Sequence, residues 1–201
     1  PDLRRIVAKL IATMQLTMRG TPFLFQGQEL GRINEPFVSR AELRDVESLN
    51  RLDALVTEGV SPAEAWAQIM AGSRDHARTP VRWTETQDDS GAWLPGHERT
   101  AGFSVEAQRV DGDSVWMHYR ELLTLRREHS ALRSGHLEVL HRSKGVRTYL
   151  RSDNQSAWLV ELCLDGTPHR RPRFGRRVVP VFGQRGPSME PWSATVSRIL
   201  G

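Results

Sequence analysis

The chain has 201 residues, enough for one medium domain or one and a half small ones with a buried core. Hydrophobic residues make up 38% and charged residues 26%, which are ordinary values for a globular protein and exclude a disordered tail. No apolar run approaches the roughly 20 residues that span a bilayer, so we expect no membrane partner.

The net charge of +4 is distributed unevenly. Residues 133–201 carry 12 basic and 5 acidic side chains, whereas residues 1–132 carry 16 and 19. Nearly all the basic residues are arginines, which we interpret as a coding bias. The single cysteine, Cys163, excludes an intrachain disulfide, and we therefore expect a reducing, cytoplasmic setting.

The first segment predicts a helix followed by a strand. Residues 2–18 place apolar side chains at a spacing of three and four, which is typical of one helix face, and Gly20 ends the pattern. The apolar run 23–25 then predicts a strand buried on both faces, which would complete half of a βαβ unit. Because the chain opens at Pro1 directly into this pattern, we expect that it was cut from a longer protein.

A long insertion follows Gly31. Helical periodicity predicts helices over 40–57 and 62–71, with Ser61 as the cap and Pro62 at the first position of the second. Residues 72–112 contain Pro and Gly interruptions with little periodicity and are predicted to be a loop. Loops of this length inside a compact protein are usually functional.

The last third of the chain changes in character. Asp113 is predicted to cap a helix that runs to Leu132. Short β-type runs separated by turn residues then indicate an antiparallel β domain. We place a domain boundary near residue 134. The predicted strands cover 136–142, 146–151, 157–164, 178–182 and 192–200.

The segments GTPFLFQGQELG, ELRDVESLN, GSRDHARTPVRW and SVWMHYRELLTLRREHSAL occur in this order along the chain. Together they resemble motifs of the α-amylase superfamily (glycoside hydrolase family 13). The loop GSRDHARTPVRW is similar to the loop that identifies its oligo-1,6-glucosidase branch, and GTPFLFQGQELG resembles the last barrel strand with its following loop. Two further segments match that branch in type and order. The four lie at residues 20–31, 42–50 (ELRDVESLN), 72–83 and 114–132.

The resemblance implies a two-part α/β architecture and extends over residues 2 to about 164. Residues 1–134 would be the C-terminal portion of a (β/α)₈ barrel, comprising helix 7, strand 8, insertions and helix 8. Residues 135–201 would be an all-β antiparallel domain. Because active sites of such barrels lie at the C-terminal ends of the strands, the loop at 72–83 would belong to the rim of a glucose pocket.

The resemblance also implies a retaining α-glucosidase that hydrolyses terminal α-glucosidic bonds of short oligosaccharides of the maltose or isomaltose type. Retaining glycosidases need a carboxylate nucleophile and a carboxylic acid. In the family these residues lie on earlier barrel strands, before Pro1, so we assign no catalytic residue and expect the chain to be inactive alone. We expect no cofactor, and because the seven histidines show no ligand spacing on a helix face, no metal site.

Two substrate-binding residues follow from the resemblance. The arginine matching Arg78 hydrogen-bonds the non-reducing glucose in family members, and a guanidinium suits this because its planar fork can hold two adjacent oxygens. The alternative is a structural arginine paired with Asp75. The glutamate matching Glu47 lines the next subsite, although Glu47 also lies on a charge-rich predicted helix and a solvated face is equally compatible.

Several neighbouring side chains have structural interpretations. Asp75 is expected to fix Arg74 or Arg78. Trp83 and Trp93 could be sugar platforms, but large aromatic residues in such loops more often form a local core. Cys163 is expected to be a buried small hydrophobe.

Three other functions compete with the glucosidase. A trehalose synthase or sucrose isomerase shares the ARTP loop, while QGQELG favours the hydrolase. A non-catalytic carbohydrate-binding or interaction module would need an exposed aromatic row within 135–201. The arginine-rich stretch at 169–177 could bind phosphates, but in an arginine-biased chain it is more typical of a solvated loop, so we expect no nucleic acid partner.

Overall fold

The computed structural model describes residues 2–97 and 100–200, and the chain forms two compact units: residues 1–31 with 111–201, and residues 32–110. None of the described helices combines the length and the apolar character needed to cross a membrane. The helices are α1 (Asp2–Thr17), α2 (Val46–Thr57), α3 (Pro62–Met70), α4 (Val105–Val110), α5 (Val115–Glu128) and α6 (Ser130–Arg133). The strands are β1 (His136–Ser143), β2 (Val146–Ser152), β3 (Ala157–Cys163), β4 (His169–Arg170), β5 (Val178–Phe182), β6 (Ser188–Met189) and β7 (Ala194–Ile199).

An antiparallel sheet of five strands, in the order β1-β2-β3-β7-β5, forms the base of the first unit, and β4 pairs with β6 separately. Alternate residues of the central strands face the helices. The resulting core joins sheet residues to residues of α1, α5 and α6: Leu10, Leu125, Ala131, Leu132, Tyr149, Trp158, Val160, Leu162 and Val196. The five predicted strand regions are confirmed, and β4 and β6 are additional.

Helices α1 and α5 pack along each other through a second cluster of Ala12, Leu16, Val115, Tyr119 and Leu122. The start of α5 differs from the prediction. Ser114 is its cap, because the Ser114 hydroxyl accepts from the backbone N–H of Met117 at 3.1 Å. The Asp113 carboxylate instead pairs with Lys9 at 2.7 Å.

Two buried arginines close the C-terminal end of α1. Arg126 Nη1 donates to the carbonyls of Leu16 at 2.8 Å and Leu132 at 2.7 Å, and Arg151 donates to the carbonyl of Thr17. A cation at a helix C-terminus donates to the carbonyls that have no partner within the helix, and it interacts favourably with the negative end of the helix dipole. Burial lowers the pKa of both guanidinium groups.

The predicted barrel strand at 23–25 is wrong for this chain by itself. The segment has no regular secondary structure and pairs with no described strand, and Phe23 is 83% and Phe25 57% exposed. A parallel strand needs neighbouring strands for its backbone hydrogen bonds, and none of the described strands provides them.

The second unit packs α2 on α3 around a small core of Phe37, Leu43, Leu52, Leu55, Ala65 and Ile69. Ser61 caps α3 as predicted, since its hydroxyl accepts from the backbone N–H of Glu64 at 3.3 Å. The helix predicted over 40–57 begins only at Val46, after a 3₁₀ turn at Arg40–Glu42. The predicted loop at 72–112 contains α4 and a 3₁₀ turn at Arg74–Ala77.

Residue 134 lies within the first unit, which contains residues on both sides of it. The domain boundary placed there stays a prediction.

Candidate functional site

A buried carboxylate organises the loop that carries the main motif. Asp75 lies in the 3₁₀ turn and is fully buried. Its Oδ2 atom accepts from the backbone N–H groups of Arg44 at 2.7 Å and Asp45 at 2.8 Å. Asp75 therefore ties the turn to the segment that enters α2. Such a charge-assisted pair of bonds fixes both segments and is lost entirely if the carboxylate is removed.

Asp45 forms the second anchor. Its Oδ1 accepts from Arg74 Nε at 2.9 Å and Nη2 at 2.6 Å, which is a bidentate contact through one oxygen. Its Oδ2 caps α2 by accepting from the backbone N–H of Ser48 at 3.3 Å and from the Ser48 hydroxyl at 2.7 Å. The hydrogen bonds from Arg74 outweigh the opposing effect of burial and lower the pKa of Asp45 to about 2.

Arg78 is held at one edge of its guanidinium group. Its Nη1 lies 3.3 Å from Asp75 Oδ1 and 3.4 Å from Asp45 Oδ1, which confirms that Asp75 is a partner of Arg78. The side chain is 36% exposed, and its Nε and Nη2 donate to no residue within the described ranges. The arginine is therefore positioned by two carboxylates and retains donors for a ligand. Its role in sugar binding stays a prediction.

Glu47 lies beside the same cluster. Its Oε2 is 3.1 Å from Arg74 Nη2, and its side chain is 78% exposed. Glu47 and Arg74 border a cavity of about 320 Å³, together with Ser48, Arg51 and Gln68. Arg74 thus links Glu47 to Asp45, which also contacts Arg78. The two predicted substrate residues therefore belong to one network of ion pairs.

The expectation that Trp83 and Trp93 form a local core is wrong. Each residue is 62% exposed, whereas Leu94 and Phe103 in the same segment are almost completely buried. The two indole rings are therefore accessible to a ligand. The sequence offered this alternative for both residues but gave no pattern that selects it.

The His76 side chain in the motif loop and the Arg171 side chain in the arginine-rich stretch both have protein partners. His76 is buried, its Nε2 lies 2.8 Å from the carbonyl oxygen of Met70, and its ring stacks on Phe37 with centroids 5.4 Å apart. In the arginine-rich stretch, Arg171 is buried and its Nη1 contacts Glu161 Oε2 at 2.7 Å. Arg171 is therefore not available to a phosphate.

One group of side chains in the first unit has the arrangement of metal ligands. Across residues 2–97 and 100–200, the donor atoms of Cys163, Asp165 and His169 lie within 4.8 Å of one another. Cys163 is fully buried, as predicted. Ligand spacing on helix faces does not detect these three donors, which lie within seven consecutive residues from the end of β3 to the start of β4.

The chain is similar to known carbohydrate-active enzymes. The family model "Alpha amylase, catalytic domain" matches residues 2–135. An α-glucosidase of Pediococcus pentosaceus is 35% identical over 213 residues, covering 99% of this chain and 38% of that relative.

Solved structures agree with the predicted fold class. A trehalose-6-phosphate hydrolase of Bacillus licheniformis superimposes with a TM-score of 0.88 and 28% identity, covering all of this chain and 40% of that one. A trehalulose synthase of Pseudomonas mesoacidophila gives 0.86 and 28%, covering 98% and 39%. The chain spans about two fifths of the length of each protein. The α/β fold class, the end of a barrel followed by a β domain, is confirmed.

Proposed function

Since this chain belongs to the α-amylase family of glycoside hydrolases, we propose that it supplies substrate contacts to a retaining α-glucosidase acting on short oligosaccharides. Terminal α-glucosidic bonds of maltose- or isomaltose-type sugars are the proposed substrates, and the proposed setting is the cytoplasm. The observation that carries this proposal is the geometry of Arg78, which two carboxylates hold through Nη1 while its Nε and Nη2 donate to no residue within 2–97 and 100–200.

Arg78 is proposed to bind the terminal glucose. Two N–H groups on one planar edge can donate to two adjacent sugar hydroxyls, and the anchored Nη1 fixes the direction of that edge. Preorganisation of this kind reduces the ordering cost of binding. Glu47 is proposed to accept from hydroxyls of the second sugar, with Arg74 restricting its rotation through the 3.1 Å contact.

The 201-residue chain is proposed to be inactive alone. A retaining mechanism places two carboxyl groups about 5–5.5 Å apart across the scissile bond. Asp45 accepts hydrogen bonds from Arg74, and Asp75 accepts them from the backbone N–H groups of Arg44 and Asp45. Both carboxylates therefore hold the loop in place. The family resemblance assigns the nucleophile and the acid to barrel strands outside these 201 residues.

The test is a chimera in which this chain replaces the matching segment of the Pediococcus pentosaceus α-glucosidase. We expect the chimera to hydrolyse p-nitrophenyl α-glucoside and the isolated chain to show no turnover. Turnover by the pure isolated chain that disappears on replacement of one of its own carboxylates would contradict the proposal. A folded chimera with no activity would also count against it, provided its circular dichroism matches that of the parent enzyme.

A sucrose isomerase is the second candidate, because the trehalulose synthase superimposes nearly as well as the hydrolase. The same chimera distinguishes the two reactions. Glucose and fructose as products of sucrose indicate hydrolysis, whereas an increased share of isomeric disaccharide relative to the parent enzyme would favour the isomerase.

A carbohydrate-binding module is less well supported. Within residues 135–200, Tyr149 and Trp158 are buried in the core, and the side chains of Phe174, Phe182 and Trp192 are only partly exposed. These described aromatics do not form the exposed row that such a module uses.

A further inference from the structure

The loop between β3 and β4 brings three chemically different donors together. Cys163 is the last residue of β3, Asp165 follows two residues later, and His169 begins β4. Their Sγ, carboxylate and imidazole donor atoms all lie within 4.8 Å of one another. A thiol, an imidazole and a carboxylate are the ligand types that Zn²⁺ takes in proteins.

Hydrogen bonds already hold this loop in shape. The Asp165 Oδ1 atom accepts from the backbone N–H of Thr167 at 3.1 Å and from its hydroxyl at 2.9 Å, and lies 2.8 Å from His169 Nε2. The backbone N–H of Trp192 donates to the Asp165 carbonyl at 3.1 Å. These contacts fix the position of the Asp165 carboxylate beside the His169 ring.

The turn between β1 and β2 lies directly against the donors. Gly145 has a φ of 75°, and a Cβ there would fall 1.9 Å from Asp165 Oδ2 and 2.8 Å from His169 Nε2. Only glycine allows this approach. Its carbonyl accepts from the backbone N–H of Leu164 at 2.6 Å, which fixes the turn over the loop.

The cluster has a buried floor and an open side. The Cys163 thiol is fully buried and makes only weak contacts, to the carbonyls of Asp165 at 3.7 Å and Thr167 at 3.4 Å. The Asp165 and His169 side chains are 32% and 27% exposed. An ion can therefore enter from solvent and meet the sulfur at the base.

The distances suit a tetrahedral ion after a small adjustment. Zinc bonds of about 2.0–2.3 Å place neighbouring ligands roughly 3.3–3.8 Å apart. A separation of at most 4.8 Å needs a movement of about 1 Å, and the 2.8 Å contact between Asp165 and His169 must open by about 0.5–1 Å.

We propose that Cys163, Asp165 and His169 bind one Zn²⁺ ion, with water as the fourth ligand, and that the ion fastens the β3–β4 loop to the sheet. The thiol proton is released to solvent as the Zn–S bond forms. The site is structural, lies in the first unit and is independent of the sugar contacts proposed for Arg78.

Cobalt titration of the chelator-treated 201-residue chain tests the site. We expect one equivalent of Co²⁺ to give a thiolate charge-transfer band and the visible bands of a tetrahedral ion, and Zn²⁺ to abolish both. Zn²⁺ should also raise Tm, because an ion that binds only the folded state stabilises it.

Variants separate this site from adventitious binding. Cys163→Ser should remove the charge-transfer band, and Asp165→Asn or His169→Gln should weaken Zn²⁺ binding by about 100-fold, at least as much as loss of a supporting group does at known sites. The control is His141→Gln, which changes an exposed histidine that contacts Ser143. Asp165 and His169 lie on the open side, so their variants should keep the circular dichroism of the parent chain.

The absence of a thiolate band in the folded parent chain would overturn the proposal. Equal Zn²⁺ affinity of Asp165→Asn, His169→Gln and the parent chain would also overturn it, because binding would then involve the thiol alone. The proposal would also be overturned if His141→Gln lost as much Zn²⁺ affinity as His169→Gln.

Discussion

Replacing Arg78 by lysine separates its two possible roles. Lysine keeps the positive charge near Asp75 and Asp45 but replaces a planar fork of donors by a single ammonium group. If Arg78 clamps the terminal glucose, the substitution removes a charge-assisted contact to the sugar. If Arg78 only fixes the loop, the substitution affects folding and leaves the chemistry intact.

The two roles predict energetic effects of different size for the Arg78→Lys substitution. The contacts of Arg78 with its carboxylates are long, at 3.3 and 3.4 Å, and the side chain is 36% exposed, so their loss should cost at most about 1 kcal/mol of stability. Loss of a charged hydrogen bond to a sugar hydroxyl costs about 1.5–3 kcal/mol. The expected result is therefore a roughly tenfold to hundredfold drop in kcat/KM with a small change in Tm.

The assay measures kcat/KM for p-nitrophenyl α-glucoside and thermal unfolding on one preparation of the chimera. Arg40→Lys is the matched control, because Arg40 also pairs with a carboxylate in the second unit, contacting Asp53 at 2.7 Å, and is 55% exposed. It should leave kcat/KM unchanged. Unchanged kcat/KM in a stable Arg78→Lys chimera would refute the assignment of Arg78 to the glucose pocket.

Two further predictions concern the isolated chain. Because Phe23 and Phe25 are largely exposed, the chain should bind a hydrophobic dye and associate as its concentration rises. Serine at both positions should reduce dye binding and association, whereas the control Val110→Ser should not. A monomeric chain that binds no dye would contradict this prediction. Burial, with a smaller contribution from Lys9, lowers the pKa of His118 to about 4. The same histidine has its ordinary pKa of about 6.5 in the unfolded chain. As pH falls below about 6.5, the unfolded chain therefore binds the proton before the folded chain does. The free energy of unfolding should therefore drop by about 3 kcal/mol between about pH 6.5 and pH 4. Urea titrations at several pH values should show a smaller drop for His118→Gln than for the parent chain. Equal drops in the two chains would refute this prediction.

The strands of the β domain were predictable because each shows its pattern locally. The runs that became β1, β2, β3, β5 and β7 are bounded by turn residues, and β1, β2 and β3 are successive both in the chain and in the sheet. The segment 23–25 shows the limit of this reasoning. Its apolar run predicts a buried strand, but a strand also needs partners, and a local pattern cannot state whether they are present.

The candidate site was predictable only in part. The motif containing Asp75 and Arg78 identified the right loop, whereas the anchoring role of Asp45 depends on a contact with Arg74 across 29 positions. The exposure of Trp83 and Trp93 depends on which neighbouring residues fill the interior, and no periodicity encodes that choice. The donors Cys163, Asp165 and His169 were close in sequence and could have been found by examining loops.

The arginines that close α1 also constrain the order of folding. Arg126 reaches the carbonyl of Leu16 across 110 positions, and Arg151 reaches that of Thr17 across 134. Contacts so distant along the chain form late, because loop closure must come first. At a synthesis rate of about 5–20 residues per second, the end of α1 waits about 7 to 27 seconds for the second arginine. During that interval the sheet residues that pack against Leu10 of α1, such as Tyr149 and Trp158, are not yet in place.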